Sequence, residues 1–62
     1  MDIKEKSELN KKIREYKGDN GFILSLQKQL KSNKFLKKEE FNGRMIKILS
    51  DKQYEAAIGI IC

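Results

Sequence analysis

The sequence predicts an all-α protein, a compact bundle of three to four short helices. Apolar residues recur at spacings of three and four along most of the 62-residue chain, which is the period of one helix face. The breaks at residues 17–21 and 50–53 carry residue types that end one helix and cap the next. The segments between the breaks are short, so the helices must pack as near neighbours.

The first helix is expected over residues 2–17. Leu9, Ile13 and Tyr16 fall at i, i+4 and i+7, and Asp2, Glu5 and Glu8 gather where the helix dipole favours acids. Lys17-Gly18-Asp19-Asn20-Gly21 breaks it. Gly18 can supply a left-handed cap, and Asp19 or Asn20 can cap the next helix. The second helix is expected over 21–31 on a stripe of Phe22, Leu26 and Leu30, with Ile23 on its flank. Leu24, Lys28 and Lys31 project to the other side. Leu24 either packs on the first helix or anchors a protein contact.

Ser32-Asn33-Lys34 reads as a polar connection. A third helix is expected over 38–49, with Phe41, Met45, Ile48 and Leu49 on one face and Glu40, Arg44 and Lys47 opposite. Gly43 then sits mid-helix, at about 1 kcal/mol against alanine. Ser50-Asp51-Lys52-Gln53 fits a capping box, and a fourth helix follows over 51–61 with Tyr54, Ile58 and Ile61 inward. Residues 56–62 have no polar side chain, so Ile60 is a second candidate protein contact, with self-association through Ile60 and Cys62 as one form of it. Residues 36–41 and 49–54 echo each other, which marks either a duplication or, more commonly, the ordinary pattern of two amphipathic helices.

The expected core is Phe22, Leu26, Leu30, Phe41, Met45, Ile48, Tyr54, Ile58 and Ile61, with Leu9, Ile13 and Tyr16 closing one side. The expected organisation is a single small helical domain over 1–62, in which 1–17 is a loosely attached N-terminal helix. A chain this short buries a smaller share of its surface than a longer one. One cysteine allows no internal disulfide, and without histidine or a cysteine cluster no zinc site is expected. The charged N-terminal stretch reads as no secretory leader, and the longest apolar run is too short for a bilayer. The expectation is a cytoplasmic protein with no membrane partner.

No enzyme is expected. General acid–base chemistry usually draws on histidine or on carboxylates shifted by their surroundings, and the acids here read as solvated helix positions. No phosphate-binding glycine loop, cofactor site or small-molecule substrate site is legible. A DNA-reading helix-turn-helix is disfavoured, because its recognition helix would be 51–61, which carries Asp51 and Glu55 against a single Lys52.

Charge is the informative feature. Residues 20–38 hold five lysines and no acid, while the remaining nine cations and nine acids cancel, so the net charge of +5 resides in that block. The candidate binding residues for nucleic acid or an acidic partner are therefore Lys28, Lys31, Lys34, Lys37 and Lys38. Lysine outnumbers arginine twelve to two, which suits backbone attraction better than base reading. Five phosphate contacts would give a log–log salt slope of about −4.5 on duplex and about −3.5 on a single strand. Phe35 lies between Lys34 and Lys37, and Tyr16 beside Lys17, where stacking on bases would favour a single strand. The plainer reading puts Phe35 in the core.

Two stretches, Phe22-Ile23-Leu24-Ser25-Leu26-Gln27-Lys28-Gln29-Leu30 and Leu49-Ser50-Asp51-Lys52-Gln53-Tyr54-Glu55-Ala56-Ala57-Ile58, carry a resemblance. Together they resemble a small helical module that recurs in phage, plasmid and other DNA-handling proteins, a Phe-x-x-Ser-Leu-x-x-Gln helix followed by a Leu-Ser-x-Lys-Gln helix. Here an extra helical segment at about 31–48 is expected to part them. The resemblance covers nineteen of the 62 residues, mostly core and capping positions. It implies a phage or mobile-element origin and a DNA-metabolism setting, and it carries over no functional residue. The expected function is a small basic accessory protein of phage derivation that binds nucleic acid or a nucleoprotein complex through its lysine face. The alternative is a protein-binding adaptor or inhibitor, open to homo-oligomerisation, that uses Leu24 and the apolar C-terminal helix.

Overall fold

A computed structural model describes residues 1–61. The order is α1 (Ile3–Glu15), α2 (Gly21–Ser32), β1 (Lys38–Phe41), β2 (Arg44–Lys47) and α3 (Asp51–Ile61). The expectation of an all-α helical bundle is thereby corrected. The third expected helix is a two-stranded antiparallel hairpin, in the register Lys38↔Lys47, Glu39↔Ile46, Glu40↔Met45 and Phe41↔Arg44.

The hairpin has a local cause. Asn42 and Gly43 have φ of 52° and 79°, both left-handed. A two-residue type I′ turn needs positive φ at both central positions, and Asn-Gly is the pair that reaches them most readily. Gly43 therefore makes the turn instead of weakening a helix. The helical spacing of Phe41, Met45, Ile48 and Leu49 is coincidental. Phe41 is half-buried, Met45 is 63% exposed, and Ile48 and Leu49 are buried beyond the end of β2. Residues 36–41 and 49–54, alike in sequence, thus form different structures. The segment parting the two module-like stretches is a turn and a hairpin, not a helix.

The helix ends follow capping chemistry. Asp2 accepts the Glu5 N–H at 2.9 Å and starts α1. At the other end of α1, the Gln27 amide donates to the Ile13 and Tyr16 carbonyls at 2.7 and 2.8 Å, so a side chain of α2 closes α1. Gly18 is not the left-handed cap expected of it, since Gly43 alone among the described glycines has positive φ. Its role is space, because a Cβ there would run into the Tyr16 ring. The Tyr16 hydroxyl accepts the Asn20 N–H at 3.2 Å, and the Asn20 side chain accepts from Phe22 and Ile23 to start α2. The capping box of α3 is present: the Gln53 N–H donates to Ser50 Oγ at 3.2 Å and the Ser50 N–H donates to Gln53 Oε1 at 2.9 Å.

α1 packs against α2, α3 and β1. The core joins Leu9 and Ile13 of α1, Ile23, Leu26 and Leu30 of α2, and Leu49, Tyr54 and Ala57, with Tyr16, Leu36 and Ile61 packed at its margin. The buried stripes are rotated from those expected. In α2 the stripe is Ile23–Leu26–Leu30, which leaves Phe22 exposed. In α3 it is Tyr54–Ala57–Ile61, which leaves Ile58 exposed, as small Ala57 sits innermost.

One polar group stands inside this core. Asn10 is buried, its amide donates to the Lys47 carbonyl at 2.7 Å, and its oxygen accepts from the Tyr54 hydroxyl at 2.7 Å. That hydroxyl in turn accepts the Leu49 N–H at 3.0 Å. The chain of bonds ties α1 to the end of β2 and to α3. Burial pushes the Tyr54 phenol above its ordinary pKa, and the Leu49 N–H that donates to its oxygen draws it partly back. Lys6 adds an outer tie, 3.7 Å from Glu39 of β1 and 3.9 Å from Asp51 of α3. Among the described residues no helix is long and apolar enough to cross a membrane.

Candidate nucleic-acid interface

Three clefts adjoin one another along one side of the molecule, and Arg14 lines all of them. Between α1 and α2 a cleft of about 470 Å³ is lined by Arg14, Gln27, Leu30 and Lys31. Between α1 and β2 a cleft of about 370 Å³ includes Lys11, Arg14, Glu15, Arg44 and Ile46. A third, of about 380 Å³, is bounded by Arg14, Leu30, Lys38, Arg44, Met45 and Lys47. Six cations, Lys11, Arg14, Lys31, Lys38, Arg44 and Lys47, therefore line this trough of adjoining clefts, Arg44 from one face of the hairpin and Lys38 and Lys47 from the other, and they include both arginines of the chain. Glu15 is the acid among the lining residues.

Each cation is placed by an identifiable local rule. Arg14 follows buried Ile13 and stands one helical turn beyond buried Asn10, so it leaves α1 at the margin of the core. At 100° per residue, Glu5 and Glu8 project about 180° and about 120° away from it around α1. Lys31 follows Leu30 on α2 in the same way. Arg44 comes straight out of the Asn-Gly turn, opposite Phe41. Lys38 and Lys47 face each other across the hairpin.

That last pairing is unusual. Like charges directly opposite in an antiparallel pair are destabilising. Among the described residues the ion pairs within 4 Å involve Lys6 alone, with Glu39 and Asp51, so neither Lys38 nor Lys47 is neutralised that way. A departure from local consistency of this kind is expected where a site serves something other than stability.

The five lysines singled out from the sequence are all exposed, and no ion pair among the described residues engages them. They do not line one cleft. Lys31 and Lys38 line the trough, whereas Lys28 borders a separate cleft of about 240 Å³ with Ser25, Gln29, Ser32 and Asn33. Lys34 and Lys37 stand on the turn between α2 and β1. Sequence reasoning missed Lys11, Arg14, Arg44 and Lys47, because acids nearby in sequence cancelled them in a block sum. The Asn-Gly signal was enough to bring Lys47 opposite Lys38.

Phe35 is 96% exposed, not buried in the core as the plainer reading had it. Tyr16, by contrast, is half-buried and held by its bond from Asn20, so it serves the fold. Leu24 is 42% exposed and Ile60 is 39% exposed. Cys62, paired with Ile60 in the sequence reading, lies outside the described residues. No protein-family model matches this chain, and neither a curated protein nor a solved structure matches it.

Proposed function

We propose that this chain is a small intracellular accessory protein that binds nucleic acid through the trough around Arg14, in a phage or mobile-element setting. The observation that carries the reading is the convergence of six cations from α1, α2, β1 and β2 on adjoining clefts, with Lys38 and Lys47 set against each other across the hairpin. A run of phosphates is a ligand that turns this mutual repulsion into attraction. The two arginines bring planar, multidentate phosphate contacts, and the lysines around them bring point charge. The other lysines of the basic block, Lys28, Lys34 and Lys37, add longer-range attraction.

Fluorescence anisotropy with labelled oligonucleotides at low and moderate salt tests this. Arg14→Glu and Arg44→Glu are each expected to weaken binding at least about tenfold, since each reverses a charge in the trough. Lys28→Glu is expected to change it much less. No binding by the unaltered protein at low salt defeats the proposal.

A second reading, a protein-binding adaptor or inhibitor, is favoured by a different observation. Phe22 and Leu24 of α2 and Ile58 and Ile60 of α3 are exposed apolar residues on a small domain. Sedimentation over a concentration series separates its self-associating form, which predicts a rising mass that Ile60→Lys abolishes.

A further inference from the structure

We infer that the turn between α2 and β1 is a base-stacking finger, with Phe35 as the platform, and that the nucleic acid bound in the trough is single-stranded. This rests on the proposed nucleic-acid function and adds what form of nucleic acid is chosen and by which residue.

The first observation is exposure. Phe35 is the most exposed large apolar side chain among the described residues, although its neighbour Leu36 packs against the core. The second is that the turn is built. Asn33 donates its N–H to the Gln29 carbonyl at 3.0 Å, ending α2. The Asn33 side chain then accepts the Phe35 N–H at 2.9 Å, which fixes the backbone where the phenyl ring leaves it. Two residues on, the Lys37 carbonyl accepts the Ile48 N–H at 2.9 Å and moors the turn to the end of the hairpin. With Leu36 as an apolar anchor, the backbone that carries the exposed ring is moored, so what remains to be ordered on binding is the Phe35 side chain itself.

The third observation is position. The turn leaves the trough at Lys31 and returns to it at Lys38, and Lys34 and Lys37 stand on either side of Phe35 along the chain. Phe35 is three residues from Lys38, so the two Cα atoms lie within roughly 11 Å. A strand whose phosphates follow the trough thus brings its bases within reach of the ring. Unpaired bases offer their faces to an aromatic side chain, and stacking of this kind tolerates any sequence. In a duplex those faces are already stacked on one another. A lipid surface fits less well, because the turn offers one protruding ring where stable attachment needs a broader apolar face.

The test compares an unstructured single strand, a duplex of equal length and an abasic strand that keeps the phosphates but lacks bases. In low salt the single strand is expected to bind tighter than both others. Phe35→Ala is expected to weaken the single strand by about tenfold, the contribution of roughly one stacked base. It is expected to leave the duplex and the abasic strand unchanged. The chain has no tryptophan, so the indole placed by Phe35→Trp reports alone, and its emission is expected to be quenched by the single strand. If Phe35→Ala binds the single strand as well as the unaltered protein does, while Arg14→Glu abolishes binding, the stacking finger is wrong and the basic trough stands. If the duplex binds as tightly as the single strand, the choice of a single strand is wrong. If no strand binds at all, both readings fall.

Discussion

Asn10 and Tyr54 show how two residues hold three elements together. The amide and the phenol satisfy each other and the backbone of Lys47 and Leu49, and among the described residues every buried side-chain polar atom has a partner. Tyr54→Phe removes the hydroxyl and leaves the Leu49 N–H and the Asn10 oxygen unmatched, a loss expected at about 1–3 kcal/mol in urea unfolding near neutral pH. The raised phenol pKa adds a pH dependence. The folded protein keeps Tyr54 neutral, while the unfolded chain ionises it from about pH 10. Its contribution is therefore complete below that pH and is lost as pH rises through the folded value. The unaltered protein is expected to lose stability more steeply than Tyr54→Phe as pH rises above about 10. Parallel curves for the two proteins would remove this role. Gly18 belongs to the same scale, since any side chain there displaces the Tyr16 ring and with it the hydroxyl that accepts from Asn20.

The hairpin is the element that makes the candidate site. Without the turn at Asn42-Gly43, Lys47 would not stand opposite Lys38. Gly43→Ala finds open space but must hold a left-handed backbone, at an expected cost of about 1 kcal/mol. Asn42→Gly keeps the required φ and is expected to stay within about 0.5 kcal/mol of the unaltered protein. Equal losses from the two substitutions in urea unfolding would contradict the turn type. At the start of α3, Ser50→Ala is expected to cost about 1 kcal/mol, because Ser50 Oγ accepts the Gln53 N–H.

As a whole the molecule is small and closed around one core. Its radius of gyration, 11.0 Å, is close to the roughly 10.6 Å of a packed chain of this length. A core of this size leaves a thin margin of stability, so a ligand that binds only the folded form shifts unfolding visibly. A single-stranded oligonucleotide is expected to raise the melting temperature at low salt and to lose that effect as salt is added. Six phosphate contacts correspond to a slope of log K on log salt of about −4 on a single strand. A slope near zero would show that the trough meets something other than a polyanion.

Short-range chemistry was readable without the fold. The cap at Asn20, the box of Ser50 and Gln53, and the runs of α1, α2 and α3 rest on residues within a few positions of each other. The hairpin was equally local, yet the spacing of Phe41, Met45 and Ile48 imitated a helix and hid it. Side-chain partners distant in the chain could not be read in this way. Asn10 meets Lys47 and Tyr54, Gln27 closes α1, and Arg14 gathers with Lys31, Lys38 and Arg44 only once the elements have packed. A sum of charges along the chain weighs neighbours in sequence, whereas a bound polyanion responds to neighbours in space. The basic character was therefore legible from composition, and the shape and place of the trough came from packing α1 against α2 and the hairpin.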